Sequence, residues 1–296
     1  MASRPQKQKK PRPQQPQPQQ QHEVVDPIWL LKAIGLTIIA AAICAWITFC
    51  LLFYQGQWQL VLHPKRTTSA PQSIGGAPYD LVHFGTDSSA EPQLTGWWIP
   101  APANARYSRS TILFLPTGDG SLADSIPTLA TLHSLGINIF AFDYRGYGQS
   151  APTHPNQQNM SHDAETAWLY LTTSRHILAS DIIPYGTGIG ASLAVQLAAA
   201  HGAIPGIVLD TPSGDLLDVA LRDPRTHLVP AHMLFHERFP LAAPLSTLKT
   251  PKLLLWQTGN EPAAIRSASD PKITVELGQQ HEEQYTQALT RFLDNM

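Results

Sequence analysis

Twenty-two consecutive residues, Ala33 to Tyr54, carry no charged side chain, and a helix of about 20 apolar residues is what crosses a bilayer core. Trp29 and Tyr54 sit near the two ends, where interfacial aromatics belong, and Lys32 can reach a headgroup along its own apolar stem. The run is longer than the apolar region of a secretory signal, about 7–15 residues. No small-x-small cleavage pattern follows it. The residue before Cys44 is Ile43, where a lipoprotein-type cleavage would want a small side chain. The expectation is an uncleaved transmembrane signal anchor over residues 28–54. Arg4, Lys7, Lys9, Lys10 and Arg12 precede it, and only Lys65 and Arg66 follow it closely. The positive-inside rule then leaves the N-terminus in the cytoplasm and carries the rest of the chain across the cell membrane, single-pass.

The anchor also divides the composition. Residues 1–22 are Gln, Pro and Lys with almost nothing apolar. Such a segment cannot bury enough surface to offset its ordering entropy, so residues 1–27 are expected to be a disordered basic tail. From residue 55 onward the chain carries 14 basic and 20 acidic side chains. A mildly acidic body argues against a nucleic-acid partner. Cys44 and Cys50 both fall inside the apolar run. The exported part therefore has no disulfide, no thiol nucleophile and no cysteine-based metal site.

Residues 55–296 alternate strand and helix signals. Tyr79–Phe84, Leu94–Ile99 and Ser110–Leu115 read as strands, and Ala123–Leu135 as a helix stopped by Gly136. Ile137–Phe142 is apolar throughout, as a strand buried on both faces must be. Ser161 is a candidate cap for a helix carrying Ala164, Ala167, Trp168 and Leu171 on one face. Ile182–Tyr185, Ile207–Asp210, Lys252–Trp256 and Ile273–Leu277 are further strands, with helices over Ala191–Ala200 and Glu282–Leu293. Repeated strand–helix units imply a mostly parallel sheet with helices on both faces. Ser213 to Thr250 breaks the alternation and is expected to form a small cap.

The motifs LVLHP at Leu60–Pro64, GWWIPA at Gly96–Ala101, FDYRGYGQS at Phe142–Ser150 and HDAETAWLYL at His162–Leu171, with the order of the elements, resemble the α/β-hydrolase superfamily. The resemblance is to its membrane-anchored serine-aminopeptidase-like branch and covers about residues 57–294. It implies an α/β-hydrolase fold, in which a strained G-x-S-x-G turn between strand and helix presents a nucleophilic serine. Here that turn is Gly186-Thr187-Gly188-Ile189-Gly190. The nucleophile position is Gly188, which has no side chain to attack a carbonyl. The resemblance puts the acid at Asn260, which cannot stabilise an imidazolium by charge, with Glu261 beside it as another candidate. It puts the histidine at His281. The oxyanion loop corresponds to Pro116–Gly120, so Thr117, Gly118 and Ile189 would form that hole, and Asp119 would set a negative charge near it. Asp143, Arg145 and Asp163 correspond to structural positions.

Other groups compete with this reading of the site. Ser192 lies one helical turn past Gly188, about 5.4 Å along the axis, and should miss the mouth of the site. Thr187 should point back toward the sheet. Gly186-x-Gly188-x-x-Ala191 also fits a dinucleotide fingerprint, with Asp210 ending the next strand about 20 residues on; that unit normally opens its domain, whereas several strands precede this one. His227, His232 and His236 cluster without a standard zinc spacing. The expectation is a pseudo-hydrolase with no cofactor and no metal, holding a small acyl or peptide ligand in a residual pocket. The alternatives are an esterase or peptidase acting through a displaced nucleophile, or water with His281, and a dinucleotide-binding protein.

Overall fold

The computed structural model describes residues 26–67, 69–86, 90–259, 261–278 and 281–296. The expected disordered tail lies outside the described residues up to position 25. Helix α1 runs from Pro27 to Gly56, 30 residues and about 45 Å, with none of its side chains buried. It is long and apolar enough to cross a membrane. The chain divides into two compact units between Thr48 and Phe49, so the last two turns of α1 belong to the globular unit.

Among the described residues that unit holds ten strands. Strands β2 (Asp80–Thr86), β3 (Pro92–Ile99), β4 (Tyr107–Leu115), β6 (Ile137–Asp143), β7 (Ile182–Thr187), β8 (Ile207–Asp210), β9 (Lys252–Gln257) and β10 (Lys272–Leu277) form one sheet. Its order is β10-β9-β8-β7-β4-β6-β3-β2. Only the β2–β3 and β3–β6 pairs are antiparallel; the other five are parallel. The two-residue strands β1 (His63–Pro64) and β5 (Asp119–Gly120) pair with each other.

Period-two alternation sends side chains to both faces. On β4 and β6, Leu113, Leu115, Phe140 and Phe142 join one buried cluster. Ile112, Phe114, Ile139 and Ala141 join the other. The first cluster is closed by α3 (Gln157–Leu169) and α4 (Gly190–Ala200), together with the cap and the short helix α8 (Ala263–Ser267). The second is closed by α2 (Ile126–Ser134) and α9 (His281–Asp294). The cap comprises α5 (Leu216–Ala220), α6 (Ala231–Leu234) and α7 (Ala242–Thr247), with a 3-10 turn at Pro224–Leu228.

One expected cap residue is corrected. Helix α3 starts four residues before Ser161, and Asn156 caps it by accepting from the Asn159 N–H at 2.7 Å. The Ser161 hydroxyl is spent instead on Gln196 of α4, 2.9 Å away.

Candidate functional site

Parallel strands bring the loops after β4, β7 and β8 together at one edge of the sheet, where open α/β sheets hold their ligands. The turn from β7 into α4 is tight enough to dictate its glycines. A Cβ on Gly186 would stand 2.3 Å from the Gly190 carbonyl oxygen, and one on Gly190 would stand 2.1 Å from that of Leu115. Gly188 itself adopts φ +54°, a left-handed conformation that suits glycine.

The space above Gly188 is occupied. A Cβ there would lie 2.6 Å from Thr117 Oγ1, 3.1 Å from Thr117 Cβ and 3.5 Å from Ser213 Oγ. The Ser213 N–H also donates to the Gly188 carbonyl at 3.0 Å. The elbow therefore offers hydroxyls from two neighbouring loops and none of its own. Ser213 was not singled out in the sequence. It stands three residues beyond the end of β8, and only the strand order shows that this loop reaches the elbow.

Thr117 is held in place from both sides of its loop. Tyr144 donates its hydroxyl to the Pro116 carbonyl (3.2 Å) and Tyr147 to the Gly118 carbonyl (2.9 Å). Both tyrosines belong to the FDYRGYGQS motif, and burial pushes both phenol pKa values up. The His63 N–H also donates to the Gly118 carbonyl at 2.9 Å, and that of Lys65 to the Gly120 carbonyl at 2.8 Å. Ile189 is buried, and its side chain lies against Gly118 so closely that a Cβ on Gly118 would meet Ile189 Cδ1 at 2.6 Å. Asp119 departs from expectation. Its carboxylate turns outward to His63 Nδ1 at 2.6 Å and is well exposed, because the β1–β5 pairing draws it toward the segment that leaves α1.

The remaining candidates stand as follows. Glu261 follows β9, and its Oε2 is 3.7 Å from Arg266 Nε. Asn260 lies outside the described residues. His281 opens α9, and its side chain is likewise outside what is described. Ser192 is buried, donates to the Pro240 carbonyl at 2.8 Å and accepts from Gln196 Nε2 at 3.2 Å. It ties α4 to the cap. Among the described residues no three His, Cys, Asp or Glu side chains form a metal-binding group; the His236 ring lies tilted against Tyr54, with centroids 4.6 Å apart.

Asp210 ends β8 beside Thr187 of the elbow strand. Its carboxylate accepts from the Tyr185 hydroxyl at 2.6 Å and from Thr211 Oγ1 at 2.9 Å. The Tyr185 and Tyr285 hydroxyls share a further 2.5 Å bond. Burial raises both phenol pKa values far above the ordinary range. The chain Asp210–Tyr185–Tyr285 thus links the elbow strand to α9, one turn beyond His281. A carboxylate committed to these partners does not face a ribose, and the turn is preceded by four strands of the large sheet rather than opening a domain. The dinucleotide reading is therefore not carried by the fold.

No protein-family profile matches the chain. Curated relatives match part of it. It is 30% identical over 179 residues to human alpha/beta hydrolase domain-containing protein 17B, which covers 60% of this chain and 58% of the relative. It is 27% identical over 180 residues to an uncharacterised protein of Mycobacterium tuberculosis, covering 59% and 62%. The chain thus spans about three fifths of the length of these relatives. Among solved structures, an esterase of Pyrococcus furiosus covers 79% of this chain and 97% of its own, with a TM-score of 0.60 and 18% identity. A bacterial membrane phospholipase A covers 91% and 99%, with a TM-score of 0.52 and 15% identity. Together with the strand order, these likenesses define the class: the chain has the α/β-hydrolase fold.

Proposed function

We propose that this chain is a membrane-anchored member of the serine-aminopeptidase-like branch whose body binds a small acyl or peptide group without cleaving it. The observation that carries the reading is the elbow. Position 188 is glycine, and Thr117 Oγ1 stands 2.6 Å from where a side chain there would begin. Acyl transfer in this fold uses serine, histidine and an orienting acid as one unit, and losing the nucleophile alone removes most of the catalysis. Asn260 at the acid position supports the same reading. So does the way the oxyanion loop is fixed by tyrosine hydroxyls and the post-anchor segment: it keeps the shape of a ligand site without a nucleophile to serve. Thr117, Gly118 and Ile189 would hold a ligand's carbonyl oxygen, and His281 and Glu261 would line its approach.

A second reading rests on the same two hydroxyls. Thr117 or Ser213 would attack in place of an elbow serine, activated by His281, as an esterase or peptidase. The names of the hydrolase relatives support it. Fluorophosphonate labelling of the full chain in detergent separates the two, alongside turnover of short-chain acyl nitrophenyl esters. The expected result is no label and no turnover above that of heat-denatured protein. A label mapped to Thr117 or Ser213, with turnover abolished by His281→Ala, would establish the second reading instead.

For localisation, the basic tail supports an N-in orientation with residues 55–296 outside the cytoplasm.

A further inference from the structure

The cap presents a surface that packing of the core does not account for. Met233 is 86% exposed and Leu228 64% exposed. Single exposed apolar residues are ordinary, but the place of these two is not. The stretch that carries them is fixed to the end of the apolar helix. Gln57, itself buried, donates through Nε2 to the Leu234 carbonyl at 3.2 Å and accepts from the His236 N–H at 2.8 Å. The His236 ring lies against Tyr54, the last residue of the uncharged run. Between helix and cap runs a groove of about 200 Å³ lined by Phe49, Leu52, Phe53, Gly56, Leu60 and Arg225.

Pairing of Arg225 with Asp223 leaves the Arg222 guanidinium as the net charge on this face. Arg222, Arg225, His227 and His232 are exposed. Asp223 is engaged by Arg225 at 2.6 Å, and Glu237 is buried and accepts from the Gln157 N–H. Apolar tips set among arginine and histidine match the boundary between acyl chains and phosphates in a bilayer leaflet.

We propose that this face of the cap, from Arg222 to His236, rests in the headgroup layer of the bilayer that α1 enters, with Leu228 and Met233 reaching the acyl boundary and Arg222 meeting lipid phosphate. The proposal relies on α1 being a membrane anchor. The helix end and the cap belong to one compact unit, so wherever the chain leaves the apolar phase, the cap is held beside that point.

The test uses the full chain with Cys44→Ser and Cys50→Ser, reconstituted in phosphatidylcholine–phosphatidylglycerol vesicles. Single cysteines are placed by Leu228→Cys, Met233→Cys or Leu178→Cys and labelled with a bimane fluorophore. Leu178 is 63% exposed and precedes β7 at the opposite, amino-terminal ends of the strands, so it controls for exposure alone. With brominated acyl chains, the labels at 228 and 233 should lose fluorescence and the label at 178 should not. All three positions are on the surface, so the substitutions spare the core. Equal fluorescence at 233 and 178, in a chain that resists alkaline extraction, would overturn the docking and leave the anchor standing. A chain released by alkali would overturn both.

Discussion

Asp143 carries a buried carboxyl in the globular unit. Its carboxyl is 5% exposed and accepts from the Leu122 N–H at 2.8 Å. Burial nonetheless raises its pKa from 3.8 to about 6, with the backbone hydrogen bonds and Arg66 opposing. A folded-state pKa above the unfolded one means that the native state holds the proton more tightly. The stabilisation is fully present below pH 3.8 and is lost as pH rises through about 6. The size is about 3 kcal/mol at most. Asp163, also raised by burial and opposed by Arg145, titrates in the same sense, so absolute pH slopes mix the two. The difference between wild type and Asp143→Asn isolates one. Asparagine keeps an acceptor for Leu122 and removes the buried charge. Urea titrations followed by tryptophan fluorescence should show that the loss of stability from pH 4 to 7 is smaller in the variant by about 2 kcal/mol. Identical slopes would show that the Asp143 carboxyl does not bind its proton in this range.

At the scale of the element, the β7–α4 elbow makes a sharper claim than the sequence could. From the sequence a serine at 188 fits, because turns of this kind normally hold one. The structure corrects that: Thr117 Oγ1 and Cβ stand 2.6 and 3.1 Å from the Cβ such a serine would bring. Gly188→Ser should therefore lower stability by about 1–3 kcal/mol through crowding and the positive φ. Thr117→Ala in the same chain should recover part of that loss, giving a coupling of about 1 kcal/mol in a double-mutant cycle. Additive effects in thermal unfolding would mean that Thr117 does not fill the nucleophile's place. Esterase activity should still require Asn260→Asp as well, since loss of the orienting acid's charge costs about 10⁴ in a serine protease. The elements themselves were largely legible, because strand β6 is apolar on both faces and β3 and β4 are rich in β-forming residues. What escaped was set by distant partners. Asn156 and Ser161 are both good cap residues, and only the Gln196 contact decides between them. The β1–β5 pair and α8 are too short to leave a pattern of their own.

For the whole molecule, the sequence located the glycine turn between β7 and α4, the loop after β4 and a last helix at the end of the chain. It could not place Ser213 over Gly188 or join Asp210 to Tyr185 and Tyr285, since those contacts arise from the order of strands across the sheet. Five basic residues precede the apolar helix within the first 12 positions, against Lys65 and Arg66 soon after it, and short flanks are where such a bias acts. Protease added to intact cells should digest residues 55–296 and leave an epitope on the N-terminal tail joined to the helix. The causal test replaces Arg4, Lys7, Lys9, Lys10 and Arg12 with glutamine. With the bias removed, Lys65 and Arg66 become the stronger flank, and a fraction of molecules should invert and keep their body protected until the cells are permeabilised. A body that is protected from the outset in the unaltered chain would reverse the assigned topology, and the docked face of the cap would then lie on the cytoplasmic leaflet.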